Sequence, residues 1–439
     1  MIKGRAGTEM WSAMGLSTWL VLVSCGGARQ SERRPTTTPE TSRATEGPRP
    51  DDPGGSPSFA EDVAFLEQHG EVVVLADPQT GAAVAVSPTY QGRVMTSTSR
   101  AQDGPSFGYI HRAVIAAGTR DPHMNVFGGE DRFWLGPEGG QYALYFPPGA
   151  PFEFASWHVP EPFDWGAWPV AERGPNEVRF LQTMVLTNYA GTQLSIGVDR
   201  RVRLLGHDAA YGYLGMQPDA NVAMVAYESV NTIENRGQEP WTPDRGLVSV
   251  WILGMYRPSP QTTVAIPFVP GPEQKLGPIV RDDYFGKVPA DRLKVGERAV
   301  FFRADGKQRG KIGIPHPRAM PAAGSYDPST DTLTLVQYNL PGDPPSGTLP
   351  YVNSMWKHQD EPYGGDVVNS YCDGPPEPGA PPLGPFYELE TSSPAAALAP
   401  GDTLTHIHRT FHLVGPATAL DPIARAVLRV SIADIDNAL

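Results

Sequence analysis

The sequence predicts an all-β fold, one large antiparallel β-sandwich with short peripheral helices. Three observations carry that prediction. Glycine and proline, 47 of each, make up about a fifth of the 439 residues, well above ordinary usage. Between these turn formers lie about a dozen short apolar runs, most bounded by Gly, Pro, Asn or Asp, the pattern of strands joined by turns. No long helical period interrupts them, as a parallel βαβ arrangement would require.

Residues 1–24 read as a lipoprotein signal peptide. Lys3 and Arg5 precede a short apolar core from Trp11 to Val23. The ending Leu22-Val23-Ser24-Cys25 resembles a bacterial lipobox, which implies cleavage before Cys25 and lipidation of its thiol. An ordinary signal peptide or a short membrane anchor is the alternative. Residues 26–57 carry almost no large apolar side chain. They cannot bury enough surface to offset ordering entropy, so 25–57 is expected to be a lipidated, disordered tether. The domain then runs over 58–439.

Ser58-Phe59-Ala60-Glu61 is a capping-box pattern that opens a helix to about Gln68, with Phe59, Val63 and Leu66 on one side. Strands are expected at 72–75, 82–86, 93–97, 142–146, 178–187, 194–204, 222–233, 247–253, 264–268, 300–303, 333–338, 386–391 and 404–413. A last helix should start with Asp421 as N-cap and Pro422 at its first position.

A net charge of -13 disfavours nucleic acid and other polyanions as partners. The two cysteines, Cys25 and Cys372, exclude a disulfide framework once Cys25 is lipidated, and Cys372 is expected to be a buried or loop thiol. No Gly-x-Ser-x-Gly elbow, His-Glu-x-x-His pair, dinucleotide fingerprint, Cys-x-x-Cys or phosphate loop occurs. Ordinary serine hydrolases, zincins, dehydrogenases and thioredoxins therefore lose their usual sequence support. No cofactor is expected.

The chemistry concentrates in four places. Phe386–Thr391 alternates like a strand, placing Phe386, Glu388 and Glu390 on one face and Tyr387, Leu389 and Thr391 on the other. The two carboxylates face either water or a site. As like charges on one face they should push one pKa upward, which suits acid or base work. Two residues apart on one strand they do not flank a bond as a glycosidase pair does. One catalytic or ligand-binding Glu is thus favoured over a hydrolytic pair.

The second place is Phe127–Gln141. It sets Glu130, Arg132, Trp134, Glu138 and Gln141 between glycines. Hydroxyl-binding acceptors, a guanidinium fork and an indole face suit a sugar ring. A structural loop with an internal Arg–carboxylate pair is the other reading. The third is Trp356, Asp366 and Asn369, with Asn353, Tyr371 and Asp373, in loops ahead of the Glu388/Glu390 strand; each alone reads as turn chemistry. The fourth is His406, His408 and His412, which share one strand face. A His-x-His pair can chelate zinc, but a polar solvent face is expected and no metal site is assigned. Trp251 is expected in the core, and Trp157, Trp165 and Trp168 at a rim or over a sheet edge. Tyr109, His111 and His123 sit in loop-like sequence that does not place them.

The stretches FGGEDRFWLGPEGGQ, GLVSVWILGMYRPSP, YFGKVPADRL, YVNSMWKHQDEPYGGDVVNSYCDG and GPFYELETSSPAAALAPGD resemble an uncharacterised bacterial lipoprotein family with no assigned activity, over nearly all of the chain from Phe59. More remotely, AVAVSPTYQGRVMTST, FGGEDRFW and LETSSP with the following Leu398–Asp402 are similar to the galactose mutarotase (aldose 1-epimerase) superfamily. That resemblance implies an antiparallel β-supersandwich with a carbohydrate-binding concave face. It makes Glu390 the counterpart of the general base that takes the anomeric proton, with Glu388 beside it. The superfamily's general-acid His has no counterpart, since the matching stretch Leu247–Met255 carries Trp251 instead. The expected protein is an exported, membrane-anchored, monomeric lipoprotein of the periplasm or cell surface that binds or modifies carbohydrate, as an epimerase-type enzyme or as a non-catalytic binding module. A structural or interaction lipoprotein without a small-molecule site is the remaining alternative.

Overall fold

Ser58 begins the first helix as its sequence requires. Its hydroxyl accepts from the Glu61 amide at 3.3 Å, and the Glu61 carboxylate accepts from the Ser58 amide at 2.7 Å. The helix spans Phe59–Glu67 and buries Phe59 and Leu66. The computed structural model describes residues 57–342, 347–377 and 379–439. The expected signal peptide, Cys25 and the expected tether up to residue 56 lie outside these residues.

Strands dominate the chain beyond this helix, and every strand pair is antiparallel, as the turn-rich sequence predicts. A ten-stranded sheet runs Leu293–Val295, Ala299–Arg303, Thr263–Pro267, Ala322–Asp327, Thr332–Tyr338, Thr403–Val414, Ala223–Asn235, Gln193–Leu204, Glu177–Thr187 and Val170–Arg173. A five-stranded sheet runs Gly310–Pro315, Asp366–Cys372, Tyr387–Ser392, Ser249–Tyr256 and Arg132–Gly136. A third sheet holds Val73–Ala76, Ala83–Ser87 and Arg93–Thr98.

The core lies between the two larger sheets. Leu389, Tyr387, Ile312 and Val368 of the five-stranded sheet meet Val264, Ile266, Val300, Phe302 and Val336 of the ten-stranded sheet. Phe133, Leu135, Val250 and Ile252 meet Val178, Phe180, Val198 and Tyr227 further along. The outer face of the ten-stranded sheet is covered by the helices His207–Leu214, Ala417–Leu428 and Ile432–Asp436 around Phe411 and Leu413.

Three expectations need correction. The run Tyr142–Phe146 is not a strand. It is a turn, with the Ala143 amide donating to Gly140 and the Leu144 amide to Pro137; its residues are apolar because Ala143, Leu144, Tyr145 and Phe146 are buried. The last long helix starts a turn earlier than Asp421, at Ala417, and carries Pro422 inside it. Asp421 lies within this helix, and its carboxylate accepts at 2.9 Å from the Ile432 amide, the first of the next helix, whose N-cap is Ser431.

The third correction concerns His406, His408 and His412. They do share a face, but it is fully buried against the five-stranded sheet. The strand is central and covered on both sides, so its alternation marks two kinds of packing partner. Thr391 Oγ1 lies 2.8 Å from His406 Nε2 and 2.9 Å from His408 Nδ1. His412 lies between Thr334 Oγ1, 2.9 Å away, and Glu130 Oε2, 3.0 Å away. Burial pushes His406 down to about 3 and His408 to about 4, so both are neutral at pH 7. Among the described residues no group of three or more His, Cys, Asp or Glu is placed to hold a metal.

Candidate functional site

The site is the outer face of the five-stranded sheet. Period-two alternation sends Phe133, Val250, Ile252, Tyr387 and Leu389 inward to the core. Antiparallel register then sets their neighbours in rungs across the outer face. Lys311, Tyr371, Glu388 and Met255 form one rung. Asn369, Glu390, Leu253 and Arg132 form the next, and Trp251 and Trp134 face each other in a third. Side chains so paired stand roughly 5 Å apart at Cβ, which brings residues distant in sequence into one surface.

Loops close over this face and leave a cavity of about 160 Å³. Its floor holds Arg132, Trp134, Trp251, Lys311, Glu388 and Glu390; Glu138, Trp157 and Trp356 come from the covering loops. Phe154, Phe285 and Leu383 ring the mouth at 58%, 38% and 41% exposure. Exposed apolar groups around a concave opening are a mark of ligand contact. Gln141 does not line the cavity. It accepts from the Gln359 amide at 3.1 Å and donates to the Gln359 carbonyl at 2.9 Å, tying down the loop that carries Trp356.

The charged floor is built in pairs. Arg132 Nη2 donates to Glu388 Oε1 at 2.7 Å, and the guanidinium lies 4.2 Å from the Trp134 ring centre. Lys311 Nζ donates to Glu390 Oε2 at 2.8 Å, and the Trp251 indole donates to the same oxygen at 2.9 Å. Six buried polar atoms of the lining have no hydrogen-bond partner among the described residues: Arg132 Nε and Nη1, Trp134 Nε1, Trp157 Nε1, Arg309 Nε and Glu390 Oε1. Unpaired buried polar atoms cost free energy, and such a concentration on one cavity fits a ligand that pairs them.

Burial raises the Glu388 carboxyl to about 7; Arg132 pulls it back, and the neighbouring Glu390 charge adds to the rise. Burial also raises Glu138, against the pull of Lys311. Burial alone pushes Lys311 down, but the Glu390 and Glu138 charges outweigh it and hold the ammonium above the ordinary lysine value.

A family model described as "Family of unknown function (DUF6786)" matches residues 57–439. The chain belongs to that family. No curated protein matches it. Among solved structures it is similar to the Slr1438 protein of Synechocystis sp. PCC 6803, at 14% identity over 79% of this chain and 96% of that one, TM-score 0.45. It is similar to a galactose mutarotase-like protein from Lactobacillus casei ATCC 334, at 10% identity over 78% and 100%, TM-score 0.42. It is also similar to a galactose mutarotase related enzyme from Lactobacillus acidophilus, at 8% identity over 79% and 98%, TM-score 0.40.

Of the residues expected at a site in this family member, Glu388, Glu390, Arg132, Trp134, Glu138 and Trp356 converge on the cavity. Glu130 does not. It is buried between the sheets, where it accepts from the Ser97 amide at 2.6 Å and the Tyr227 hydroxyl at 3.0 Å and touches His412. Asp366 and Asn369 line a small pocket behind Lys311 and Trp251. Asp366 pairs with Arg281 at 3.1 Å and accepts from the Tyr284 hydroxyl at 2.5 Å. Asn369 donates to the Ile312 carbonyl at 3.2 Å. They brace Tyr284, whose ring lies 5.5 Å from Lys311 Nζ.

Sequence reasoning missed Lys311 and Arg309, and read Trp251 as core. The signal for Lys311 is a lone cation in the apolar alternation Lys-Ile-Gly-Ile-Pro. Gly313 beside it is required, because a Cβ there would sit 2.2 Å from Asp366 Oδ2. Trp251 is buried but has its indole N–H on Glu390, a role that hydrophobicity alone does not show.

Proposed function

We propose that the cavity binds a carbohydrate and that Glu390 and Glu388 exchange protons with it, as in interconversion of sugar anomers. The observation that carries this is the convergence of unpaired buried donors and acceptors with the faces and edges of Trp134, Trp157 and Trp356 on one cavity. A sugar ring, with apolar faces and a belt of hydroxyls, matches both features. Residues 1–57 carry the further proposal of an exported lipoprotein that holds this domain at a membrane surface.

The carboxylates suit anomer exchange better than hydrolysis. Ring opening takes a proton from the anomeric hydroxyl and gives one to the ring oxygen as its bond to the anomeric carbon breaks. Both oxygens are on one carbon, so acid and base approach from one side. Two carboxylates two residues apart on one strand do this; a glycosidase pair must flank its bond. Glu390 has a free Oε1 to take the proton, while Lys311 and Trp251 fix its other oxygen. Glu388, lifted to about 7, retains a proton to give. Rotation of the open-chain aldehyde and reclosure with the two proton transfers reversed completes the exchange. No histidine is needed.

Proton NMR of the full chain with a panel of mono- and oligosaccharides tests the reading. Saturation transfer to a sugar together with accelerated anomer exchange is expected, and Glu390→Gln should abolish the exchange while binding persists. Transfer without any change in the sugar would leave a binding module in place of the enzyme. Silence across the panel from folded protein would defeat the carbohydrate reading.

A further inference from the structure

The cavity is lined by three cations and by the carboxylates Asp121, Glu138, Glu388 and Glu390; two of the cations are ion-paired, Arg132 with Glu388 at 2.7 Å and Lys311 with Glu390 at 2.8 Å. Arg309 makes no ion pair or hydrogen bond through its side chain among the described residues. Its guanidinium stacks over Phe285, 3.9 Å from the ring centre, and its Nε is buried without a partner. Asp373, next along the ladder opposite, is already engaged by the Tyr371 hydroxyl at 2.7 Å and the Gly384 amide at 2.9 Å.

Arg309 and Phe285 belong to two cavities at once. They edge the one described above and also a neighbouring opening of about 400 Å³ that Lys307 and Gln308 help to line. A ligand leaving the first cavity past Phe285 therefore meets an unspent guanidinium with Lys307 beside it. A rigid fork of donors held on an aromatic face matches a planar or tetrahedral oxyanion. The free Nε and Nη1 edge of Arg132 on the cavity floor adds donors without an acceptor.

Resting on the carbohydrate reading, we infer that the natural ligand is an acidic sugar, a saccharide whose carboxylate or sulfate is held by Arg309. The protein as a whole, at -13, repels such a ligand. Arg309, with Lys307 beside it at the opening, is then what selects it, and association should weaken with added salt.

Isothermal titration of the full chain with galactose, galacturonate and galactose 6-sulfate, and with the glucose counterparts, separates the possibilities. At least one acidic sugar should bind about tenfold more tightly than its neutral parent, the effect of one charge-assisted hydrogen bond. Arg309→Gln should remove that preference, so that the acidic sugar binds no more tightly than its neutral parent. The tighter acidic ligand identifies the substituent as carboxylate or sulfate. Neutral and acidic sugars binding alike, or Arg309→Gln weakening both equally, would overturn the inference while sparing the carbohydrate reading. Binding of none of them would end both.

Discussion

Lys311→Met isolates the ion pair on which the site is built. Lys311 and Glu390 are 2.8 Å apart, with side chains 7% and 1% exposed. At an effective dielectric near 20, that separation corresponds to roughly 6 kcal/mol of gross attraction, most of it offset by the cost of taking both charges out of water. Removing the lysine does not return that net value. It leaves the Glu390 charge buried, and such a loss typically costs 3–5 kcal/mol. Trp251 still donates to Glu390 Oε2 at 2.9 Å, which places the expected cost at the lower end, ~3 kcal/mol. For a domain of about 380 residues the unfolding entropy is near 0.8 kcal/mol/K, so the melting temperature should fall by about 4 °C. The double variant Lys311→Met/Glu390→Gln should recover most of this loss, because the amide removes the stranded charge. Calorimetry of the single and double variants at pH 7 measures both. Strictly additive losses, with no recovery in the double variant, would refute the claim that the two side chains act as a pair.

Two further outcomes are expected from the buried polar groups. Glu388 keeps its proton to about 7 when folded and releases it near 4.5 when unfolded. Between those values the folded state binds more protons, so this group's stabilisation is full below 4.5 and is lost as pH rises through 7. Glu388→Gln should flatten the fall in unfolding free energy across that window by ~3 kcal/mol, read by denaturant titration at several pH values; an unchanged slope would show that Glu388 does not titrate there. Thr391→Val keeps the volume but strips the hydroxyl that meets both His406 Nε2 and His408 Nδ1. Two buried imidazole nitrogens then lack a partner, and a loss of ~3 kcal/mol is expected by urea unfolding; a loss under 1 kcal/mol would mean that water or a rotated histidine replaces the contact.

Much of the site is legible in the sequence because it depends on alternation within single strands. Glu388 and Glu390 share a face whatever they pack against, and so do Arg132 and Trp134. The capping box at Ser58 is equally local. Gly-rich and Pro-rich punctuation then sets the strand lengths, and the absence of helical periods sets the antiparallel class.

What the sequence cannot decide is which face turns where, and what lies across from it. Glu130 has the same parity as Arg132 and Trp134, yet it points into the opposite side of the sheet. The amides of Glu130 and Asp131 both approach the Val94 carbonyl, at 2.7 and 3.4 Å, so two residues oppose one and the alternation slips. Asp131 can then enter the core because Arg200, far along the chain, meets it at 2.8 Å. The three histidines read as a wet face until Thr391, Thr334 and Glu130 are placed against them. Lys311 gains its role only through the register that sets it one strand beyond Tyr371 and within reach of Glu390. Alternation is a property of one strand and is written in consecutive residues. Pairing, register and the sign of the facing charges are properties of strands as far apart in the chain as those of Arg132 and Glu388, and only the folded sheet brings them together.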